Sequence, residues 1–379
     1  MNKEIRAVFR ALAIGLAMIV FVCGSDKSAP AAEAASDALS ALPPSDLIVF
    51  VDAQRMLSEV LPRVFSSNPT LRDQINTQLD QFKTISGLDP RAFDQLTLGI
   101  SFSTTTGERL VALAHGSHID ANQVIAAALS EAAKRRAQTA HPLPAPEPEG
   151  YQGKTVYVLD GTMENGIVAS VLDANTIAIG DFKGVRAAID VNVGRMRHVD
   201  DELIALATRE SGVIIGFSGR VPPPAIAPGE SSGSGTHDSF VHELAFIRQF
   251  YGSFNVEQTN AEILLVLRAE NEERARQIGE RLQMLKQLLV GALTQEPIPT
   301  GAGTAAQEKQ ARSSETGAAQ RDDKMEATDP HQSIALPGLG LIVAAPVVRT
   351  FEKTEVTVEG TDILLKLKRP LADLMPHAR

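Results

Sequence analysis

The sequence predicts an α+β protein made of two similar β-α-β-β-α-β-β units, an internal duplication, with antiparallel sheets covered by helices. Three observations carry this expectation. Short β-branched runs such as Leu47 to Val51 (LIVFV) alternate with longer amphipathic stretches. Several strand-like runs come in pairs joined by turn-length Thr/Gly segments, which join strands running in opposite directions. The order of these elements in residues 46–198 recurs in 199–375, the two expected units.

In the first unit, LIVFV closes on Asp52 and has the length and branching of a buried strand. Residues 54–85 read as helix, interrupted near Pro62 and again at Asn68-Pro69, because proline lacks the N–H a helix interior needs. Leu96 to Ser103 and Glu108 to Ala114 form a hairpin around a Thr/Gly turn. Asp120 caps a helix running to Arg135, and Lys134, Arg135 and Arg136 sit at its negative end. Alternating prolines in 137–150 favour an extended linker. Strands follow at Thr155 to Leu159, Gly166 to Leu172 and Thr176 to Ile179, then a helix from Phe182 to Val191.

The second unit repeats the scheme. Val213 to Phe217 (VIIGF) stands where LIVFV stood. Leu98–Leu129 aligns with Tyr251–Leu282 without a gap, placing Gly99 on Gly252, Ile125 on Ile278 and Leu129 on Leu282. Lys154 to Gly161 (KTVYVLDG) resembles Lys353 to Gly360 (KTEVTVEG), each a strand ending in an acid and a glycine turn. Ala275, Ile278, Leu282, Leu285 and Leu289 make one apolar stripe along 270–292, the face a helix turns to a sheet; a coiled-coil partner is the alternative. A Pro/Gly/Ser-rich loop is expected at 221–238. A disordered insertion is expected at 294–333, where bulky apolar residues are nearly absent.

The strand-to-long-helix units, the Gly87 to Leu96 stretch (GLDPRAFDQL) and the hairpin after it resemble exported bacterial proteins known only as domains of unknown function. The resemblance spans residues 43–375. It implies a duplicated α+β fold and no particular activity.

Residues 1–34 carry the order of an export signal. Lys3, Arg6 and Arg10 precede an apolar run from Ala11 to Val22, and small-residue pairs follow at Ala29/Ala31 and Ala32/Ala34. The run is a dozen residues, short of the roughly 20 that cross a bilayer as a helix. Residues 35–45 are then expected as a linker. Cys23 is the only cysteine, so an internal disulfide is excluded. It is either removed with the signal or lipidated, and the bulky Phe21 and Val22 before it fit lipidation poorly. Membrane contact is expected only through such a lipid or an uncleaved signal. The location is exported: periplasm, envelope or extracellular.

Without residues 1–34 the chain holds 32 basic and 43 acidic side chains, a balance of −11. That charge disfavours nucleic acid, and no basic stripe interleaved with aromatics offsets it. With no Trp and three Tyr, a sugar-stacking platform is not expected either. His115, His118 and Asp120 at a strand end could ligate a metal, but Arg268 stands at the position matching His115 in the second unit, so a polar strand terminus is sufficient explanation. His237, Asp238, His242 and Glu243 place two histidines five apart, about 140° out of line on a helix, so their rings do not converge. No nucleophile elbow or phosphate-binding loop occurs. No catalytic, cofactor or metal residue is therefore assigned. The expected function is a non-enzymatic envelope protein with a binding or scaffold role, its partner a protein or small molecule. The alternative is a hydrolase whose site assembles from distant residues.

Overall fold

The computed structural model describes residues 31–65, 68–86, 89–103, 107–138, 146–221, 246–257, 260–294, 333–336, 341–344 and 353–370. The chain opens with helix α1 (Ala31–Ser40) and strand β1 (Leu47–Asp52). Helix α2 follows as three consecutive pieces, α-helical Ala53–Arg55, π-helical Met56–Val60 and α-helical Leu61–Val64. Pro62 has no N–H to donate, and just ahead of it Leu61 N–H bonds back to Met56 O in the wider i→i+5 pattern. Then come α3 (Pro69–Ser86), the hairpin β2 (Gln95–Ser103) and β3 (Gly107–His115), and α4 (Ala121–Ala137). Strands β4 (Glu149–Tyr151), β5 (Lys154–Asp160), β6 (Ile167–Val171) and β7 (Thr176–Gly180) lead into α5 (Phe182–Asn192) and α6 (Asp201–Ala207). The second half holds β8 (Ile215–Arg220), β9 (Ile247–Glu257), β10 (Asn260–Ala269) and α7 (Glu272–Thr294). After it come β11 (Ser333–Leu336), β12 (Leu341–Ala344), β13 (Glu355–Glu359) and β14 (Asp362–Pro370).

Among the described residues, twelve strands form one antiparallel sheet in the order β13-β14-β10-β9-β8-β1-β2-β3-β7-β6-β5-β4. Among the described residues β11 and β12 pair only with each other. The two halves thus share a sheet, and β1 and β8 are the seam, with Val49 opposite Phe217. β1 is apolar on both faces and so needs cover on both sides, whereas one face of β8 carries Ser218, whose buried hydroxyl donates to Leu203 O at 2.6 Å, and Arg220.

The expected unit pattern is met only in part. Four strands follow α4, whereas β13 and β14 are the two that join the same sheet after α7. β13 sits beside β14 as β6 sits beside β7, so it does not hold the place of β5 with which its sequence was matched. The shared acid–glycine ending is a hairpin-turn device, with Gly161 and Gly360 both at positive φ (73° and 58°), and it marks any such turn.

The expected linker at 35–45 is a correction. Its first six residues belong to α1, and Ala35, Leu39 and Leu42 are fully buried. Ala35 and Leu39, four apart, share one face of α1, and Leu42 in the turn that follows docks with them into the core beside Ile48, Phe50 and Leu203. Of the expected proline linker at 137–150, Glu149 and Gly150 are in β4. Residues 1–30 with Cys23, the loop at 222–238 and residues 295–332 lie outside the described residues.

Period-two alternation divides the core. On one face Ile48, Phe50, Val111, Leu113 and Ala178 pack under α1, α5 and α6. On the other, Val49 and Val51 meet α2, Ala114 and Ile177 meet α4, and Ala269 and Ile363 meet α7.

Candidate functional site

A cleft of about 520 Å³ opens on the α1/α5/α6 face where the two halves meet. Its walls come from the turn before β1 (Pro44, Ser45, Asp46), the facing strands β2 and β3 (Ser101, Arg109), the α5–α6 connection (Arg197 to Asp201) and the end of β8 (Arg220). The volume is that of small-molecule sites, commonly 300–1,000 Å³. Each wall is held locally. Val199 is fully buried and its N–H donates to Leu42 O at 2.9 Å, anchoring the α5–α6 connection to the end of α1. Arg220 N–H donates to Asp46 O at 2.7 Å, tying β8 to the turn before β1.

Two of the three acids of the cleft are engaged. Asp200 accepts from Glu202 N–H at 3.0 Å as the N-cap of α6 and from Arg220 at 2.6 Å. The Arg220 guanidinium, with that N–H behind it, holds the Asp200 carboxyl below the usual range. Asp46 accepts Phe102 N–H at 2.7 Å. Asp201 points outward with its side chain 88% exposed, 3.7 Å from His198 Nδ1. His198 Nδ1 also lies 2.6 Å from Val199 O.

Two cations stand differently. Among the described residues Arg109 donates only to Pro44 O and Ser101 Oγ, both at 3.4 Å, its Nε is buried without a hydrogen-bond partner, and its charge acts on Asp181 from beyond ion-pair distance. Arg197 is exposed and makes no ion pair among the described residues.

From Arg220 a polar chain crosses the same face of the second half. Arg220 meets Glu202 at 3.5 Å, and Glu202 lies 4.0 Å from Arg268. Arg268 grips Asp362 with two hydrogen bonds of 2.8 and 3.0 Å. The Tyr251 hydroxyl donates to Asp362 at 3.1 Å and accepts from Arg209 at 2.6 Å. Arg268 depresses the Asp362 carboxyl, while burial and the Asp362 charge push the Tyr251 phenol up. Asp362 is thus an anion and Tyr251 a donor at neutral pH.

This pair gives a pH prediction. Asp362→Asn keeps the shape and loses the charge, and should cost about 1–2 kcal/mol at pH 7 given the partial exposure of Arg268. Because the folded pKa is depressed, the contribution is present above the unfolded value near 3.9 and is lost as pH falls through the depressed one. Urea unfolding at pH 7 and pH 3 should show the gap between wild type and variant shrinking in acid.

The histidines singled out by their spacing do not converge. His115 Nδ1 lies 3.1 Å from Thr176 Oγ1, His118 is exposed, and Asp120 caps α4 by accepting from Asn122 and Gln123 N–H. Among the described residues no group of His, Cys, Asp and Glu is placed to hold a metal. The His237–Glu243 cluster and Cys23 lie outside the described residues. Sequence reading missed the cleft arginines. The signal for Arg109 was its parity: it shares the strand face of Val111 and Leu113, both core residues, where a cation is out of pattern.

No family model and no curated protein matches the chain. Three similar solved structures are titled as crystal forms of TP0453. Form I aligns at 8% identity over 89% of this chain and 94% of that one, TM-score 0.38. Form III aligns at 8% over 89% and 96%, TM-score 0.39, and form IV at 10% over 63% and 83%, TM-score 0.31. Among the described residues, no helix is long and apolar enough to cross a membrane.

Proposed function

We propose that this is an exported, non-enzymatic binding protein that holds a small molecule in the cleft between its two halves. The observation that carries the reading is the cleft itself: about 520 Å³ at the β1–β8 seam, with walls contributed by both halves. Two of its acids, Asp46 and Asp200, are held by backbone N–H groups and Arg220, which suits recognition better than catalysis. The export part rests on the order of residues 1–34, with Cys23 either lipidated or removed. We also infer an internal duplication, because the order β1-β2-β3-β7-β6 in one half parallels β8-β9-β10-β14-β13 in the other.

Native mass spectrometry of the protein isolated from the cell envelope tests both parts. A bound small molecule that His198→Trp displaces supports the cleft reading; ligand-free protein in both forms overturns it. The intact mass of the same sample reports a diacylglyceryl group at Cys23 or a start beyond it. Recovery of the full-length chain in the cytoplasm alone would sink the export reading.

A further inference from the structure

We propose that the ligand of this cleft carries an oxyanion, a carboxylate or a phosphate, recognised by Arg109 and Arg197. The proposal rests on the cleft being a ligand site and adds the class of molecule it takes.

The distribution of charge within the cleft leads to it. Its three arginines and three aspartates nominally cancel, but they are not arranged as three pairs. Arg220 takes Asp200, whose other hydrogen-bond donor is the Glu202 N–H at the start of α6. Asp46 is occupied by Phe102 N–H and Asp201 faces solvent. Neither Arg109 nor Arg197 has a carboxylate within ion-pair distance among the described residues.

Arg109 is the more telling of the two. Among the described residues its only acceptors are a carbonyl and a hydroxyl at 3.4 Å, at the long limit for such bonds, and its Nε is shielded from solvent with no acceptor there. A partly buried guanidinium left in this state costs free energy, and an anion entering the cleft would remove that cost. Guanidinium groups match carboxylate and phosphate geometry through paired N–H donors, so either oxyanion satisfies the chemistry. Arg197, exposed on the opposite wall in the α5–α6 connection, supplies a second cation without having to leave another partner. Ser45 and Ser101 add neutral hydroxyls for an uncharged remainder.

The test uses two matched pairs of probes on the exported form of the protein, at about 0.15 M salt so that loose surface attraction is screened. Glutarate against glutaramide tests carboxylate; glucose 6-phosphate against glucose tests phosphate. Calorimetry should show the charged member of at least one pair binding at least about tenfold tighter than its neutral partner, a difference a charge-assisted bidentate contact readily supplies. Arg197→Ala should lose that preference without lowering the thermal midpoint, since the side chain is exposed and makes no ion pair. Arg109→Gln should weaken the charged probe as well, and Arg197→Ala keeps the test readable if the half-buried Arg109 variant folds poorly. Equal binding of charged and neutral members, unchanged by Arg197→Ala but abolished by His198→Trp, would overturn the anion proposal and leave the cleft as a site. Failure of all four probes to bind, or binding that persists in His198→Trp, would overturn both.

Discussion

Leu39→Asp is expected to cost about 4 kcal/mol or more and to abolish the cleft along with the stability. Leu39 has no exposed surface and lies with Ala35 and Leu42 in the cluster formed by Ile48, Phe50, Leu203 and Ile204. Truncating such a residue costs about 2–5 kcal/mol in transfer and cavity terms, and a carboxylate left without a partner there adds to it. The effect reaches the site because α1 runs directly into the Pro43-Pro44-Ser45 wall, and Leu42 O holds Val199 of the opposite wall. Asp37→Ala, on the exposed side of the same helix, should stay within about 0.5 kcal/mol. Urea unfolding followed by circular dichroism compares the two. A Leu39→Asp midpoint equal to that of Asp37→Ala would mean that α1 is not part of the core.

That helix also shows where the sequence was legible and where it was not. Periodicity found the elements whose burial is local: the β2–β3 hairpin, α4 with its Asp120 cap, β5 to β7 and α7 lie within a few residues of their expected bounds. It failed where the deciding contact is remote. Ala35, Leu39 and Leu42 lie in an alanine- and serine-rich stretch, and only the docking surface offered by β1 and α6 turns that stretch into core. The joining of two halves into one sheet depends on an edge-to-edge pairing between β1 and β8, 168 positions apart at Val49 and Phe217, which no window of sequence contains. The cleft was hidden for the same reason. Arg109, Arg197 and Arg220 come from three separate segments; Arg197 and Arg220 alone read as ordinary surface cations, and the strand parity of Arg109 marks it as out of pattern without saying what it faces. The mismatch of β13 with β5 has another origin: a shared turn signature reports a hairpin, and carries no information about which strand the hairpin pairs with.

Gly184→Val is expected to destabilise the fold by about 3–4 kcal/mol, through a clash that no rotamer relieves. A Cβ at Gly184 would stand 2.4 Å from Leu110 O and 2.8 Å from Leu110 C, backbone atoms fixed by pairing of β3 with β2 and β7. Helix α5 would have to lift from the sheet, drawing the fully buried Val185, Ala188 and Ile189 out of the core. The close approach exists because Asp181, the N-cap of α5, binds both backbone groups of Leu110. Its N–H donates to Leu110 O at 3.0 Å, and its carboxylate accepts Leu110 N–H as well as Gly184 N–H at 2.7 Å. Asp181→Ala should therefore cost about 2–3 kcal/mol, a lost cap plus an unsatisfied strand N–H. Its pH dependence runs opposite to that of Asp362. Burial raises the Asp181 carboxyl despite those N–H donors, so its contribution is fully present below the unfolded value near 3.9 and diminishes as pH rises through the raised one. The gap between wild type and Asp181→Ala should be wider at pH 3 than at pH 8. Because both substitutions act on Leu110, the double variant should cost less than the two single costs added together; strict additivity would mean that the cap and the close approach are independent.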